Sequence, residues 1–339
     1  ELSNIGSANI VQTKITGSNS VASDYFGFNV AIGGTIIAAG AYGVDTVGNL
    51  GGAVYILDLD GNQLGIITAS DGAAEDRFGH SVAIGGTIIA VSSYLRDNPT
   101  NSGAVYIFDH KGNELGIITA SDGAASDQFG YSIDVGTNKI VVGAGWDDDG
   151  GERTGSAYLY DHKGENEIKL NASDPGTYDY FGYDVGIGGT IVVVGAMYAD
   201  EPTNSGAAYI FDLDGNQLGI ITASDAGADD YFGRTLAVGP TKIVIGANKD
   251  DDNGTDAGAV YVYDHKGNNE VKITASDGAA YDDFGHYAIA VNDKYIAVAS
   301  VSDDDDGSGS GAAYIYDLDG NNEVKITTSD AYSEQYFPR

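Results

Sequence analysis

Phe-Gly recurs six times along the chain, at Phe26-Gly27, Phe78-Gly79, Phe129-Gly130, Phe181-Gly182, Phe232-Gly233 and Phe284-Gly285, at intervals of 52, 51, 52, 51 and 52 residues. A near-constant period of this size belongs to repeat architectures, in which each unit is a supersecondary element that buries its apolar face only against its neighbours. The fold of the whole chain therefore reduces to the fold of one unit.

That unit reads as four short strands. Phe28-Asn29-Val30-Ala31-Ile32 runs into Gly33-Gly34 and returns as Thr35-Ile36-Ile37-Ala38-Ala39, two β-rich runs about a two-residue glycine turn. A polar loop from Gly43 to Leu50 leads to Ala53-Val54-Tyr55-Ile56-Leu57, and Asp58-Leu59-Asp60-Gly61-Asn62 then turns the chain into Gln63-Leu64-Gly65-Ile66-Ile67-Thr68. No window sustains a 3.6-residue apolar period, so the chain is expected to be all-β.

Four strands per period of this length is the pattern of a propeller blade, and radial repetition protects sheet edges. The expectation is a six-bladed β-propeller of four-stranded antiparallel blades, forming one domain over residues 1–339 with extensions at 1–13 and 331–339. Two alternatives stand beside it: a seven-bladed propeller with part of the chain missing, and a β-solenoid, whose repeats are usually shorter. Glycine, at 50 of 339 residues, suits six sets of tight turns. The fourth-strand sequence occurs a seventh time, since Lys14-Ile15-Thr16-Gly17-Ser18-Asn19 and Lys325-Ile326-Thr327-Thr328-Ser329-Asp330 both match Ile67-Thr68-Ala69-Ser70-Asp71. One copy should complete blade 6 and the other should be spare. Gln335-Tyr336-Phe337-Pro338-Arg339 echoes the approach to another Phe-Gly and breaks off with proline in place of glycine.

Asp and Glu number 50 against 16 Lys and Arg, for a net charge of −34. Such a field repels nucleic-acid phosphates and anionic membranes, which proteins bind through basic patches. No apolar run reaches 18 residues, so membrane insertion by a helix is not expected. Absence of cysteine excludes disulfides and thiolate chemistry. The start at Glu1 without a signal peptide suggests processing, excision from a larger protein, or a secretion route without an N-terminal trace. Acidity and repeated surface loops fit a secreted, cell-surface or virion-surface protein.

The unit Phe129-Gly130-Tyr131-Ser132-Ile133 … Ile140-Val141-Val142-Gly143-Ala144 … Gly155-Ser156-Ala157-Tyr158-Leu159-Tyr160 resembles the FG-GAP repeat of integrin alpha-subunit propellers and of many bacterial and viral surface proteins. Nearly verbatim copies of Ile-Thr-Ala-Ser-Asp-Gly-Ala-Ala and Asp-Leu-Asp-Gly-Asn look like arrays of marine bacteria and their phages. The resemblance implies a recognition or adhesion module and not an enzyme. In integrin-type repeats a calcium loop lies between the first two strands. Here that connection is short, as at Gly33-Gly34 and Gly85-Gly86, and the family's calcium site does not carry over to it.

Acidic clusters stand instead in the loop between the second and third strands: Asp147, Asp148 and Asp149; Asp250, Asp251 and Asp252; Asp303, Asp304 and Asp305, with Asp306 following. Two readings are open, a Ca²⁺ site relieving the repulsion of close carboxylates, and a solvated loop that keeps the protein soluble. Ca²⁺ is the one cofactor candidate; no organic cofactor is implied. A second acidic element, Asp24, Asp76, Asp127, Asp179, Asp230 and Asp282, stands two residues before each Phe, with Ser-Asp further back in five copies and Ser18-Asn19 in the first. Such residues cap turns through backbone N–H groups, with a bound cation as the alternative. Asp58–Asn62 and Asp109–Asn113 read as turns rather than an EF-hand fragment or a histidine site. His80 and His286 follow Phe-Gly where other copies carry Phe28, Tyr131, Tyr183 and Arg234, and no catalytic constellation singles out one blade.

At the end of the second strand successive copies read Tyr42, Tyr94, Trp146, Tyr198, Lys249 and Ser302. Aromatic platforms beside polar groups such as Asp147 or Asn101 suit sugar rings, while the same rings could simply seal blade ends. The functional expectation is a non-enzymatic recognition module for a glycan or a cell-surface protein, with no catalytic residues. The alternative is a rigid structural or decoration module of a phage tail, filament or surface layer, bound to neighbouring chains.

Overall fold

The computed structural model describes residues 13–327, apart from 22, 47, 98–99, 200–202, 306 and 308. Every regular element among the described residues is a strand, and the strands form six four-stranded antiparallel sheets, each a meander of consecutive strands. The chain is a six-bladed β-propeller. Two compact units divide it. Thr13–Val185 with Leu213–Gly215 holds blades 1 to 3, and Gly186–Asp212 with the chain from Asn216 holds blades 4 to 6.

Blade 3 shows the pattern: Ile133–Val135, Lys139–Ala144, Ser156–Asp161 and Ile168–Leu170. Its two middle strands pair from Lys139↔Asp161 to Ala144↔Ser156, and the same register recurs in blade 1 from Ile36↔Asp58 to Ala41↔Ala53. The Asp at the end of the third strand closes the outer hairpin. In blade 1, Asp58 Oδ1 accepts the backbone N–H groups of Asp60 and Asn62 at 3.0 and 2.8 Å, which makes Asp58–Asn62 the turn its composition predicts.

Middle strands bury both faces, so they read as continuous apolar runs rather than alternating ones. In blade 2, Ile88, Ala90, Val105 and Ile107 pack with Ile140, Val142, Tyr158 and Tyr160 of blade 3. The intervening residues Ile89, Val91, Tyr106 and Phe108 face the other way and pack with Ile36, Ala38, Val54 and Ile56 of blade 1. Blades 5 and 6 share a core of the same kind. Phe78, Phe129, Phe232 and Phe284 each lie in such an interblade layer, whereas Phe26 packs with Ala41, Ala53 and Tyr55 of its own blade. Phe129 is buried edge-on to Tyr158 and Tyr160, with ring centroids 5.4 and 6.1 Å away.

The seven copies of the fourth-strand sequence divide cleanly. Val324–Ile326 pairs with Ala313–Ile315 and completes blade 6. Lys14–Asn19 forms no assigned strand; it packs on blade 1, where Tyr55 donates its hydroxyl proton to Asn19 Oδ1 at 3.0 Å and Gln63 Oε1 accepts the Ser18 N–H at 3.3 Å. The N-terminal copy is thus the spare one. The expected terminal extensions, apart from Thr13, and residues 328–330 of the C-terminal copy lie outside the described residues.

Candidate functional site

Strand pairing fixes which residues are equivalent. Counted from Ala41↔Ala53, Ser93↔Ala104, Ala144↔Ser156 and Ala196↔Ala207, Tyr42 and Tyr94 stand one residue after the second strand, whereas Trp146 and Tyr198 stand two after it. The series read from sequence as one position is therefore two adjacent positions. Gly145 and Met197 share the first with Tyr42 and Tyr94, and Gly43 and Leu95 share the second with Trp146 and Tyr198.

In the unit of blades 1 to 3 the structure nevertheless brings Tyr42, Tyr94 and Trp146 together, through the residues that follow Phe-Gly. Tyr42 packs edge-on to Phe28 at 4.7 Å, and Phe28 lies 5.2 Å from His80. His80 contacts Tyr94 at 4.3 Å and Tyr131 at 5.1 Å; Tyr131 contacts Trp146 at 4.6 Å and Tyr183 at 5.1 Å. Tyr25 stacks on Tyr42 at 4.8 Å, and Tyr180 meets Trp146 edge-on at 5.5 Å. The result is one aromatic band that runs across blades 1 to 3 and ends at Tyr180 and Tyr183, which flank the Phe-Gly leading into blade 4. Tyr42, Trp146, Phe28, Tyr131 and Tyr183 are half-buried and Tyr25 is exposed, while Tyr94 is buried beneath its neighbours. Tyr198, in the other unit, packs edge-on to Tyr231 at 5.0 Å.

Backbone strain helps aim this band. The residue before each Phe, including Tyr25, Arg77 and Tyr180, is a non-glycine in the left-handed region with φ of 54, 56 and 55°. Neighbouring backbone holds the conformation: Arg77 N–H donates to Leu50 O at 3.0 Å and Tyr180 N–H to Arg153 O at 3.1 Å. Arg77 thereby sits against the rings of Tyr42 and Tyr94, 5.6 and 5.8 Å from their centroids, and donates from Nη1 to the Tyr94 hydroxyl at 2.6 Å. Arg153 donates likewise to the Tyr180 hydroxyl at 2.7 Å. Burial, reinforced by Arg77, pushes the His80 imidazole down to about 4, so at neutral pH it is an uncharged ring of the band.

The acidic loops are organised differently from their sequence appearance. In each triple the first aspartate, Asp147, Asp250 or Asp303, is buried. The middle one stays outside the cluster; Asp148 Oδ1 accepts Arg153 N–H and Asp251 Oδ1 accepts Asp256 N–H, both at 2.7 Å, so these two close their own loops. The third member of each cluster comes from the Ser-Asp pair of the preceding linker: Asp122 joins Asp147 and Asp149, Asp225 joins Asp250 and Asp252, and Asp277 joins Asp303 and Asp305. In the last two clusters the carboxylate oxygens lie within 4.8 Å of one another, a spacing that could hold a metal ion. A lysine ammonium from the fourth strand stands among them. Lys169 Nζ lies 2.7, 3.0 and 2.7 Å from Asp122, Asp147 and Asp149. Burial alone would lower the Lys169, Lys272 and Lys325 pKa, but the surrounding carboxylates outweigh it and raise all three above the ordinary amine value.

The Ser-Asp pairs and the aspartates before each Phe have structural partners. Ser121 Oγ donates to Glu167 Oε1 at 2.5 Å, and the Tyr158 hydroxyl sits 2.9 Å from both Asp122 Oδ1 and Asp147 Oδ2. Asp127 Oδ2 accepts the Ala124 N–H at 2.6 Å and Asp282 Oδ2 the Ala279 N–H at 2.7 Å, the turn-capping role expected from sequence. Burial, with the nearby acidic loops adding to it, raises Asp127 and Asp282 to about 6. A carboxyl with a folded-state pKa above its unfolded one binds more protons in the folded state, so its contribution to stability grows as pH falls through the folded value. Asp71, Asp122, Asp225 and Asp277 are lowered despite burial, by hydrogen bonds from tyrosine and a cationic side chain, and their contribution is lost at still lower pH. Thermal melts should therefore give a midpoint that rises from pH 7 to about 5 and falls below about 4. Asp127→Asn with Asp282→Asn should flatten the upper limb; a midpoint rising steadily from pH 5 to 7 would contradict this assignment.

An all-β propeller of six near-identical four-stranded units, each entered through Phe-Gly, defines a repeat module. The family model of the FG-GAP repeat matches residues 11–57, 62–108, 113–160, 165–211, 216–263 and 268–316, and the chain belongs to the FG-GAP repeat family. No curated protein matches it. The matched segment 62–108 starts ahead of the fourth strand of blade 1 and ends in the third strand of blade 2, so the family repeat is offset from the blade and includes the linker that ties one blade to the next. Among the described residues no helix is long and apolar enough to cross a membrane.

Proposed function

We propose that the protein is a non-enzymatic recognition module, displayed outside the cell or on a virion, that binds a glycan through the aromatic band of blades 1 to 3. The family fits a non-catalytic adhesion or structural module. One observation carries the finer reading: Phe28, Tyr42, Tyr131, Trp146 and Tyr183 present half-buried rings on a continuous path, flanked by the hydrogen-bonding groups of Arg77 and Arg153. Sugar rings present C–H faces that stack on such surfaces, while their hydroxyls need donors and acceptors at the edge. Asp147, which the sequence offered as a polar partner for the sugar, is instead buried against Lys169 and Tyr158, so the arginines and tyrosine hydroxyls take that role. Calcium has no part in this reading, because Asp147 and Asp149, which follow Trp146 in the same loop, are already bonded to Lys169.

Glycan-array screening followed by calorimetry tests the proposal. Trp146→Ala should weaken binding of an array hit tenfold or more, which is roughly 1.4 kcal/mol, with little change in melting temperature. A hit unaffected by Trp146→Ala and Tyr131→Ala would remove the band from recognition. A second reading, a decoration module that binds neighbouring chains, draws on the exposed apolar residues Leu64, Ile66, Leu115 and Ile117 of the fourth strands in blades 1 and 2. Concentration-dependent self-association in sedimentation, with no array hit, would favour it.

A further inference from the structure

Lysine and acidic loop occur together within this one chain. At the position of Lys169, blades 5 and 6 carry Lys272 and Lys325, each paired across strands with the core tyrosine, Tyr158, Tyr261 or Tyr314. Blades 1, 2 and 4 carry Ile66, Ile117 and Ile220 there. The position of the buried Asp147 follows suit: Asp250 and Asp303 in blades 5 and 6, but Val44, Arg96 and Ala199 in blades 1, 2 and 4, each placed by the same backbone bond to the end of the second strand. Where the loop supplies Arg96, that side chain reaches the linker aspartate itself, at 2.5 Å from Asp71 Oδ2. The linker aspartate thus meets a cationic side chain in each of these four blades, and in blade 1 it is replaced by the neutral Asn19.

We propose that Lys169, Lys272 and Lys325 are tethered cations that take the place of a divalent metal among three carboxylates, so that blades 3, 5 and 6 fold without metal, and that removing the lysine uncovers a cation site. An ammonium has three N–H donors. Each of the three here has three carboxylates to donate to: Lys272 Nζ lies 2.9, 2.6 and 2.6 Å from Asp225, Asp250 and Asp252, and Lys325 Nζ lies 2.9, 2.8 and 2.7 Å from Asp277, Asp303 and Asp305. The core tyrosine supports the same point, with each ammonium 5.3 Å from its ring centroid. A calcium ion takes six to eight oxygens at about 2.3–2.6 Å. To enter, it would have to contract the carboxylates and expel an ammonium that already donates to all three. Without the lysine, three carboxylates and the tyrosine oxygen would remain as ligands, with water to complete the shell. This inference does not depend on what the aromatic band binds.

The test uses the full chain, freed of metal by chelation, with Ca²⁺ and Tb³⁺ as probes. Tb³⁺ accepts excitation from a nearby tyrosine, and Tyr261 and Tyr314 place their hydroxyls 2.8 and 2.7 Å from Asp250 and Asp303. Wild type should melt at the same temperature in chelator and in millimolar Ca²⁺. Lys272→Met and Lys325→Met should each melt several degrees lower in chelator, recover in Ca²⁺, and gain a saturable Tb³⁺ signal that Ca²⁺ displaces. A triple variant that gives blade 5 the blade 1 residues, Asp250→Val, Asp252→Thr and Lys272→Ile, should fold and ignore Ca²⁺. Wild type stabilised by Ca²⁺ would overturn the proposal. So would methionine variants that fold or fail alike with and without the ion.

Discussion

Gly103→Ala is expected to cost roughly 2–6 kcal/mol, enough to unfold much of a typical domain's margin, and chemical denaturation monitored by circular dichroism should show it. Gly103 has φ of +86°, and its backbone bridges that of Phe129 where the chain passes from blade 2 to blade 3. A Cβ there would press into the Phe129 carbonyl oxygen and lie 2.7 and 2.9 Å from the Phe129 nitrogen and carbonyl carbon. Strain alone would not make the case, since Asn101, two residues earlier, and Leu50, at the corresponding place in blade 1, tolerate positive φ. The lack of space does, because the obstructing atoms are main chain and cannot rotate away. Gly27 is the matched control: it has φ of +82° with no atom near a built Cβ, so Gly27→Ala should carry only the conformational part of the cost. Equal losses at the two positions would show that close backbone approach is not what Gly103 provides.

How far sequence could reach depended on whether the repeat itself encoded the answer. The period, the glycine hairpins and the Asp-x-x-Gly-Asn turns each occur in several copies, and local chemistry fixes them, so strand number and pairing were legible. The aromatic positions were not, because they follow the second strand at an offset that only pairing reveals. Tyr42 and Trp146 look equivalent by side-chain type, yet Ala41↔Ala53 and Ala144↔Ser156 put them one residue apart. The residues after Phe-Gly, Phe28, His80, Tyr131 and Tyr183, vary too much to read as a catalytic position, and nothing in the sequence alone joins them to the aromatic series. Aromatic packing accepts a histidine or a phenylalanine in the same slot, and variety there is compatible with one continuous band.

The acidic loops show the opposite limit. Both readings available from sequence, a calcium site and a solvated loop, treated the loop as a local object. The structure instead assembles each cluster from three segments separated by up to 48 residues, a linker aspartate, a loop pair and a fourth-strand lysine. A signal did exist in the chain. Asp-Asp-Asp appears in the same repeats as Glu-Ile-Lys or Glu-Val-Lys and is absent where the fourth strand reads Leu-Gly-Ile-Ile. Covariation among repeats of one molecule carries contact information in the way that covariation among homologues does, and it needs no second sequence.

Phe129→Ala is expected to destabilise the protein by about 3–5 kcal/mol, and Phe129→Leu by clearly less. The Phe129 side chain is 1% exposed and lies in the layer shared by Ala83, Ile88, Val105 and Ile107 of blade 2 and Ile133, Ile140, Tyr158 and Tyr160 of blade 3. Truncation removes its apolar burial, leaves a cavity between two sheets that the paired backbones cannot close, and strips Tyr158 of the edge-on ring 5.4 Å away. Tyr158 matters beyond its ring, because its hydroxyl sits between Asp122 and Asp147 in the lysine-filled cluster. A shift of that tyrosine would loosen the cluster, so Phe129→Ala and Lys169→Met should couple: the double variant should lose less than the two single losses added, by about 0.5 kcal/mol or more. Phe78→Ala, in the layer between blades 1 and 2, should not couple to Lys169→Met, since Phe78 packs on Tyr106 and Phe108. Denaturation midpoints of the four variants and the two doubles decide the matter. Full additivity at both phenylalanines would mean that the Phe-Gly ring acts only as filler, and coupling at Phe129 alone would show that it also holds the tyrosine on which the charge cluster is built.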